Sequence, residues 1–164
     1  MIAKLPKNIT IRNSKPSDHH QILNVLKDWW DGRDLTWMLP KLFLIHFCDT
    51  SFIIEKDDEL IAFLIGFLSQ SNTDEGYIHF VGVHPDYRSI GIGEYLYEQF
   101  YKICKENKRG TIKTCTSPVN KGSIKFHKKI GFQIEQGDGK FGSIPVTLDY
   151  NTPNDPKVLF KKRI

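Results

Sequence analysis

The chain has 164 residues, 40% of them hydrophobic and 12% aromatic, enough for a packed core and too apolar for a disordered segment. Its net charge of +4 suits an anionic small molecule and is too weak and scattered for a nucleic-acid surface. Three cysteines without paired spacing exclude a disulfide framework, and no apolar run reaches membrane-spanning length.

Ile9 to Arg12 reads as a first strand. Ser17 offers an N-cap for a helix carrying Ile22, Val25, Leu26, Trp29 and Trp30 at helical spacing, ended by Asp31-Gly32. Pro40 to Phe47 predicts a second helix opened by proline. Ser51 to Glu55 and Leu60 to Leu68 read as strands joined by a charged hairpin turn, and Tyr77 to Val83 as a third. A helix follows from Glu94 to Lys105, then a strand over Thr111 to Thr116 and a helix over Asn120 to Ile130 closed by Gly131. Phe132 to Glu135 and Lys157 to Lys162 complete the strands, with long loops expected between them. The order β-α-α-β-β-β-α-β-α-β-β predicts a mixed α/β sheet in one domain spanning residues 1–164. Reduced thiols, and a start from Met1 to Arg12 without a signal-peptide core, set the expected location as the cytoplasm.

The segment His84-Pro85-Asp86-Tyr87-Arg88-Ser89-Ile90-Gly91-Ile92-Gly93 lies between a strand and a helix. The first amides of a helix lack intrahelical acceptors and carry the positive end of its dipole. Gly91 and Gly93 allow close approach to that backbone, and Arg88 adds a positive charge at the mouth. These residues predict a socket for a phosphate or pyrophosphate.

Two stretches together resemble one family. Arg88-Ser89-Ile90-Gly91-Ile92-Gly93, preceded by Val81-Gly82-Val83-His84-Pro85, is similar to the acyl-CoA-binding motif of the GNAT N-acetyltransferases. Asn120 to Phe132 is similar to that family's Asn-x-x-[Ala/Ser]-x-x-x-Tyr-x-x-x-Gly-Phe segment, with His127 standing where tyrosine is usual. The resemblance implies a GNAT-like fold, a mostly antiparallel mixed sheet flanked by helices, with acyl-CoA bound at a splayed strand pair. It implies that Ser89, Ile90, Gly91, Ile92 and Gly93 hold the CoA pyrophosphate through their amides, with Arg88 beside them. The backbone of Val81, Gly82 and Val83 is then offered to the pantetheine arm and the thioester carbonyl. Asn120, an N-cap candidate in its own right, is implied to bond the pantetheine amide, and Phe126 packs nearby.

Acetyl transfer to an amine needs a base for the amine and a proton for the thiolate. His79, two residues before Val81 and expected on the same strand face, is a candidate base, with a structural strand histidine as the alternative. His127 is a candidate acid in place of the family's tyrosine, or else a structural residue. Trp30, Asp31 and Arg33, near the end of the first helix, are candidate acceptor contacts, where carboxylates and indoles suit an amine. The plainer alternative is core tryptophans beside a solvated turn. The six histidines show no metal-ligand spacing, so no metal is expected.

The leading expectation is direct acetyl transfer from acetyl-CoA to a primary amine of a small molecule or peptide. No cysteine falls at an activated position within the motifs, which argues against an acyl-enzyme. The rival is a non-catalytic module that senses acyl-CoA. A nucleotide binder of another kind is disfavoured because the loop lacks the Lys-Ser/Thr ending of a P-loop. Neither nucleic acid nor membrane is an expected partner. A homodimer is compatible with the resemblance, since dimers are common in the family.

Overall fold

A computed structural model describes residues 5–164; the first four, part of the stretch read for a leader, lie outside the described residues. Seven strands form one sheet in the order β1-β2-β3-β4-β5-β9-β6. They are β1 (Ile9–Asn13), β2 (Phe52–Lys56), β3 (Glu59–Leu68), β4 (Glu75–Val83), β5 (Thr111–Thr116), β6 (Gln133–Ile134) and β9 (Val158–Arg163). Every neighbouring pair is antiparallel except β4 and β5, which run parallel. This is the mixed, mostly antiparallel sheet expected. A separate hairpin, β7 (Gly139–Phe141) with β8 (Ile144–Val146), occupies the stretch read as loop.

Helices cover both faces. On one lie α1 (His19–Asp28) and α2 (Phe43–His46), on the other α3 (Ile92–Glu106) and α4 (Lys121–Lys129). The core is split accordingly. Ile22, Leu26, Trp29 and Leu44 pack with Ile53, Phe63, Ile65 and Phe80 beneath the first pair of helices. Leu96, Tyr97, Phe100 and Ile124 pack with Ile54, Leu64, Ile112 and Phe160 beneath the second. β3 feeds both clusters, so its residues from Leu60 to Gly66 are buried without alternation, as a strand covered on both faces must be. The β2–β3 turn is tight, with Asp57 and Asp58 both at positive φ, the geometry that matches strand twist in two-residue hairpins.

Two local expectations change. Ser17 does not cap α1; it lies inside a 3-10 turn, Pro16–Asp18. Asp18 accepts from the Lys15 amide at 2.7 Å and pairs with Arg12, which also reaches Glu55. The helix expected over Pro40 to Phe47 shrinks to the single turn of α2, because the apolar residues there are shared between core and surface. Among the described residues no helix is long and apolar enough to cross a membrane.

Candidate active site

The parallel pairing of β4 and β5 runs from Glu75↔Thr111 to Ile78↔Thr114 and stops there. Beyond that rung β4 continues to Val83 while β5 continues to Thr116 beside β9. The edge of β4 from His79 to Val83 is therefore free of strand pairing on the β5 side. Buried main-chain groups need partners, so this wedge presents a ladder of amides and carbonyls to an extended ligand. Val81 and Val83 turn their side chains toward the α3 cluster. Gly82 faces the other way, where an added Cβ would lie 2.5 Å from the Phe63 ring and 2.8 Å from the Trp30 indole.

β4 leads into the loop before α3. Gly91 is the N-cap of α3 and sits at φ 94°, with Ser89 at φ 65°. A side chain at Gly91 would meet the penalty of the left-handed region. Among the described residues, Tyr95 carries the first amide in this turn with a carbonyl partner, Gly91. The amides before it form the outward-facing donor set expected of an anion socket. Gly93 brings α3 against α4, since a Cβ there would stand 3.3 Å from Phe126. Asn120 caps α4 by accepting from the Ser123 amide at 3.1 Å, which leaves its side-chain NH2 as a donor.

Arg88 departs from expectation. Its guanidinium donates to the Val83 carbonyl at 3.0 Å and to the Trp29 carbonyl at 2.5 Å. Trp29 is the C-cap of α1. The charge thus neutralises a helix C-terminus and fastens α1 to the socket loop instead of standing at its mouth.

His79 is the extra residue of a bulge. Ile65 faces Phe80 and the next residue, Gly66, faces Ile78, so β4 holds one residue more than β3. The bulge resets the alternation. His79 consequently lies on the α1/α2 face with Phe80, not on the face of Val81 and Val83 as simple period-two counting gave. Its ring stacks on Phe43, with centroids 4.2 Å apart and planes 5° from parallel. Nε2 lies 2.6 Å from the Met38 carbonyl. A carbonyl only accepts, so Nε2 carries the hydrogen and Nδ1 is left as an acceptor. Burial pushes the His79 pKa below its ordinary value, which keeps that lone pair available at neutral pH.

His127 differs in every respect. It is only 5% exposed and stacks on Phe160 with centroids 4.5 Å apart. Nδ1 is 2.8 Å from the Ser123 carbonyl and so carries the hydrogen. Nε2 therefore accepts, and the Tyr97 hydroxyl, 2.7 Å away, donates to it. Burial takes the His127 pKa down to about 4. At neutral pH there is no imidazolium proton to give, and both nitrogens are committed to the core. This corrects the expectation that His127 stands beside the reacting sulfur as a free acid. Tyr97, which sequence reasoning did not single out, is the polar group that His127 holds. Burial keeps its phenol protonated, and the Thr114 hydroxyl that bonds the Ile78 carbonyl at 2.9 Å closes the last β4–β5 rung nearby.

Of the acceptor candidates, Trp30 reaches β4, edge-on to Phe80 with centroids 5.3 Å apart. Asp31 and Arg33 lie in an exposed turn beyond it, and among the described residues no hydrogen bond or ion pair joins their side chains to β4. A group with no sequence signal does touch that strand. Phe43, Phe47, Phe67 and Tyr77, all half-buried, follow one another ring to ring from His79 around the α1/α2 face, stacked at the two ends and tilted at Phe47. The Tyr77 hydroxyl meets that of Tyr150 at 3.2 Å.

Residues 19–132 match the model described as the Acetyltransferase (GNAT) family. The chain is 30% identical over 140 residues to an uncharacterized N-acetyltransferase of Porphyra purpurea, covering 83% of this chain and 76% of that one. It is 26% identical over 147 residues to an uncharacterized N-acetyltransferase of Methanocaldococcus jannaschii; the match covers 82% of this chain but spans only 65% of the archaeal protein. In fold it resembles Ard1 from Thermoplasma volcanium, with a TM-score of 0.77 and 18% identity over 96% of this chain and 98% of that one. It also resembles Arabidopsis thaliana Naa50, solved with the bisubstrate analogue CoA-Ac-MVNAL, with a TM-score of 0.72 and 18% identity over 96% and 99% of the two chains. The chain belongs to the GNAT acetyltransferase family.

Proposed function

We propose that this GNAT-family chain transfers an acetyl group from acetyl-CoA directly to a primary amine of a peptide or small molecule. The observation that carries the reading is the wedge. β4 stops pairing with β5 at Ile78 and leads straight into a left-handed turn of unpaired amides at the start of α3. A long ligand with an anionic end and an amide-bearing arm fits that combination.

In this reading the amides of Ser89, Ile90, Gly91, Ile92 and Gly93 hold the pyrophosphate. The free edge of Val81, Gly82 and Val83 bonds the arm, the NH2 of Asn120 reaches an arm amide, and Phe126 packs against it. Acetyl-CoA, when bound, supplies the acetyl group as a thioester. On the opposite face of β4, His79 takes the proton of the incoming amine at Nδ1, while its Nε2–H stays fixed on Met38. Trp30 walls the same side through its contact with Phe80. The C–N bond forms as the C–S bond breaks, and CoA leaves as its thiolate to take a proton from solvent, while His127 holds Tyr97 beneath the wedge without giving up a proton of its own. Cys115, the thiol nearest the motifs, and Cys104 do not stand ready for an acyl-enzyme: burial raises the pKa of both.

The test is release of the CoA thiol from acetyl-CoA against a panel of amines, alongside calorimetric titration with acetyl-CoA. Amine-dependent release, with intersecting lines in double-reciprocal plots, is expected. Parallel lines would overturn direct transfer. Binding of acetyl-CoA without turnover on any amine would leave the non-catalytic sensor instead.

A further inference from the structure

His79, Phe43, Phe47, Phe67 and Tyr77 form a run of half-buried rings, an aromatic basin. His79 and Tyr77 both stand on β4, and the other three link them around the α1/α2 face, with successive centroids 4.2, 5.6, 5.1 and 5.3 Å apart. Rings this close attract one another, yet half-buried aromatics leave apolar area against solvent. The segment that supplies Phe43 also carries exposed apolar side chains. Trp37 (59% exposed), Leu42 (48%) and Ile45 (51%) lie within one nine-residue stretch that also supplies Phe43 and the Met38 carbonyl holding His79. Single exposed apolar side chains are ordinary; three within nine residues, in the segment that holds a reactive group, mark a binding surface.

Charge narrows the ligand. No member of the basin is a carboxylate. Asp31, the acid read as an acceptor contact, is in an exposed turn, and the nearby Asp34 accepts from the Thr36 amide and hydroxyl at 2.9 and 2.6 Å through one oxygen. A polyamine or aminoglycoside would bring several cations to a base whose side-chain neighbours are the Phe43 and Phe80 rings, on a chain whose net charge is already +4.

We infer that the acceptor is an amine carried on a large apolar body, with the apolar part in the aromatic basin and the nitrogen at Nδ1 of His79. This rests on the acetyltransferase reading above. Two sources share that chemistry: a peptide whose first side chain is large and apolar, and a free apolar monoamine.

The test compares kcat/KM for peptides beginning with Phe or Leu, the same peptides beginning with Gly or Asp, phenethylamine, and spermidine. Apolar-first amines are expected to lead Gly- and Asp-first peptides and spermidine by at least about tenfold, the discrimination a hydrophobic pocket supplies. Phenethylamine matching the Phe peptide would identify the free amine as source; a clear peptide advantage would identify the chain terminus. Phe43→Ala should shrink the preference to within about threefold, and Phe43→Leu should keep it. Calorimetric binding of the peptides should rank in the same order. Equal or better use of Gly-first peptides or spermidine would overturn the inference while sparing the acetyltransferase reading. Absence of thiol release with every amine would overturn both.

Discussion

The two faces of β4 are built from different materials. Toward α3 and α4 the site is main chain: an unpaired strand edge, a left-handed turn and the first amides of a helix. Toward α1 and α2 it is side chain: an imidazole, an indole and a ring of phenyl and phenol groups gathered from β3, β4 and the segment before β2. A main-chain site tolerates few residues, because only glycine fits where the backbone must bend to positive φ or come close to a ligand. A side-chain site has many equivalent solutions, and that freedom is what lets one fold serve many substrates.

The contrast can be broken from either side. His79→Gln should lower kcat by about 10²-fold, at the low end of general-base contributions, with acetyl-CoA affinity within about twofold by calorimetry. Because burial lowers the His79 pKa, the acid limb of the kcat/KM profile should lie below the ordinary histidine value and vanish in this variant. Unchanged turnover would remove His79 from the chemistry. Gly91→Val acts on the other face. A β-branched residue at φ 94° should weaken acetyl-CoA binding by about 30-fold, or about 2 kcal/mol, with the far-UV circular dichroism unchanged.

His127 sharpens the comparison, since it belongs to neither face but to the core below the wedge. Its pKa is 6.5 when unfolded and about 4 when folded. Above pH 6.5 it is neutral in both states and the folded protein has its full stability. As pH falls toward 4, the unfolded chain binds a proton that the folded chain refuses, so stability drops by about 3 kcal/mol. His127→Phe should flatten that slope in urea titrations between pH 6.5 and 4. It should also cost about 1–3 kcal/mol at pH 7, by stranding the Tyr97 hydroxyl. The smallest effect is expected from Arg88→Ala. Losing its two bonds to the Val83 and Trp29 carbonyls should lower stability by about 1 kcal/mol and raise KM for the amine more than KM for acetyl-CoA. Equal changes would show that Arg88 does not link the two faces.

The same division decided what could be read from the amino acids alone. The strand–turn–helix at Val81 to Gly93 and the capped helix from Asn120 were legible because their glycines, asparagine and apolar runs report backbone shape. His79 was found, but on the wrong face of its strand. A bulge arises from the register between two strands, and β4 by itself contains no sign of it. His127 was read by its position in a motif, whereas its role is set by burial among Phe132, Phe160 and Tyr97. Phe43, Phe67 and Tyr77 carry no local signal, because nothing in a list of aromatics says which will meet. Arg88 was legible as a charge and illegible as a tie, since its partner Trp29 lies 59 residues earlier in the chain.

The bulge at His79 also gives β4 an odd count that matters beyond geometry. Removing one residue between Ile78 and Phe80 would not merely shorten the strand. It would put the remaining residues back into plain alternation with β3 while leaving Tyr77 and Phe80 on the α1/α2 face and Ile78, Val81 and Val83 on the α3 face. The imidazole is thus an insertion that the strand accommodates without turning either lining over. A one-codon deletion there would take out the base and keep both linings in place.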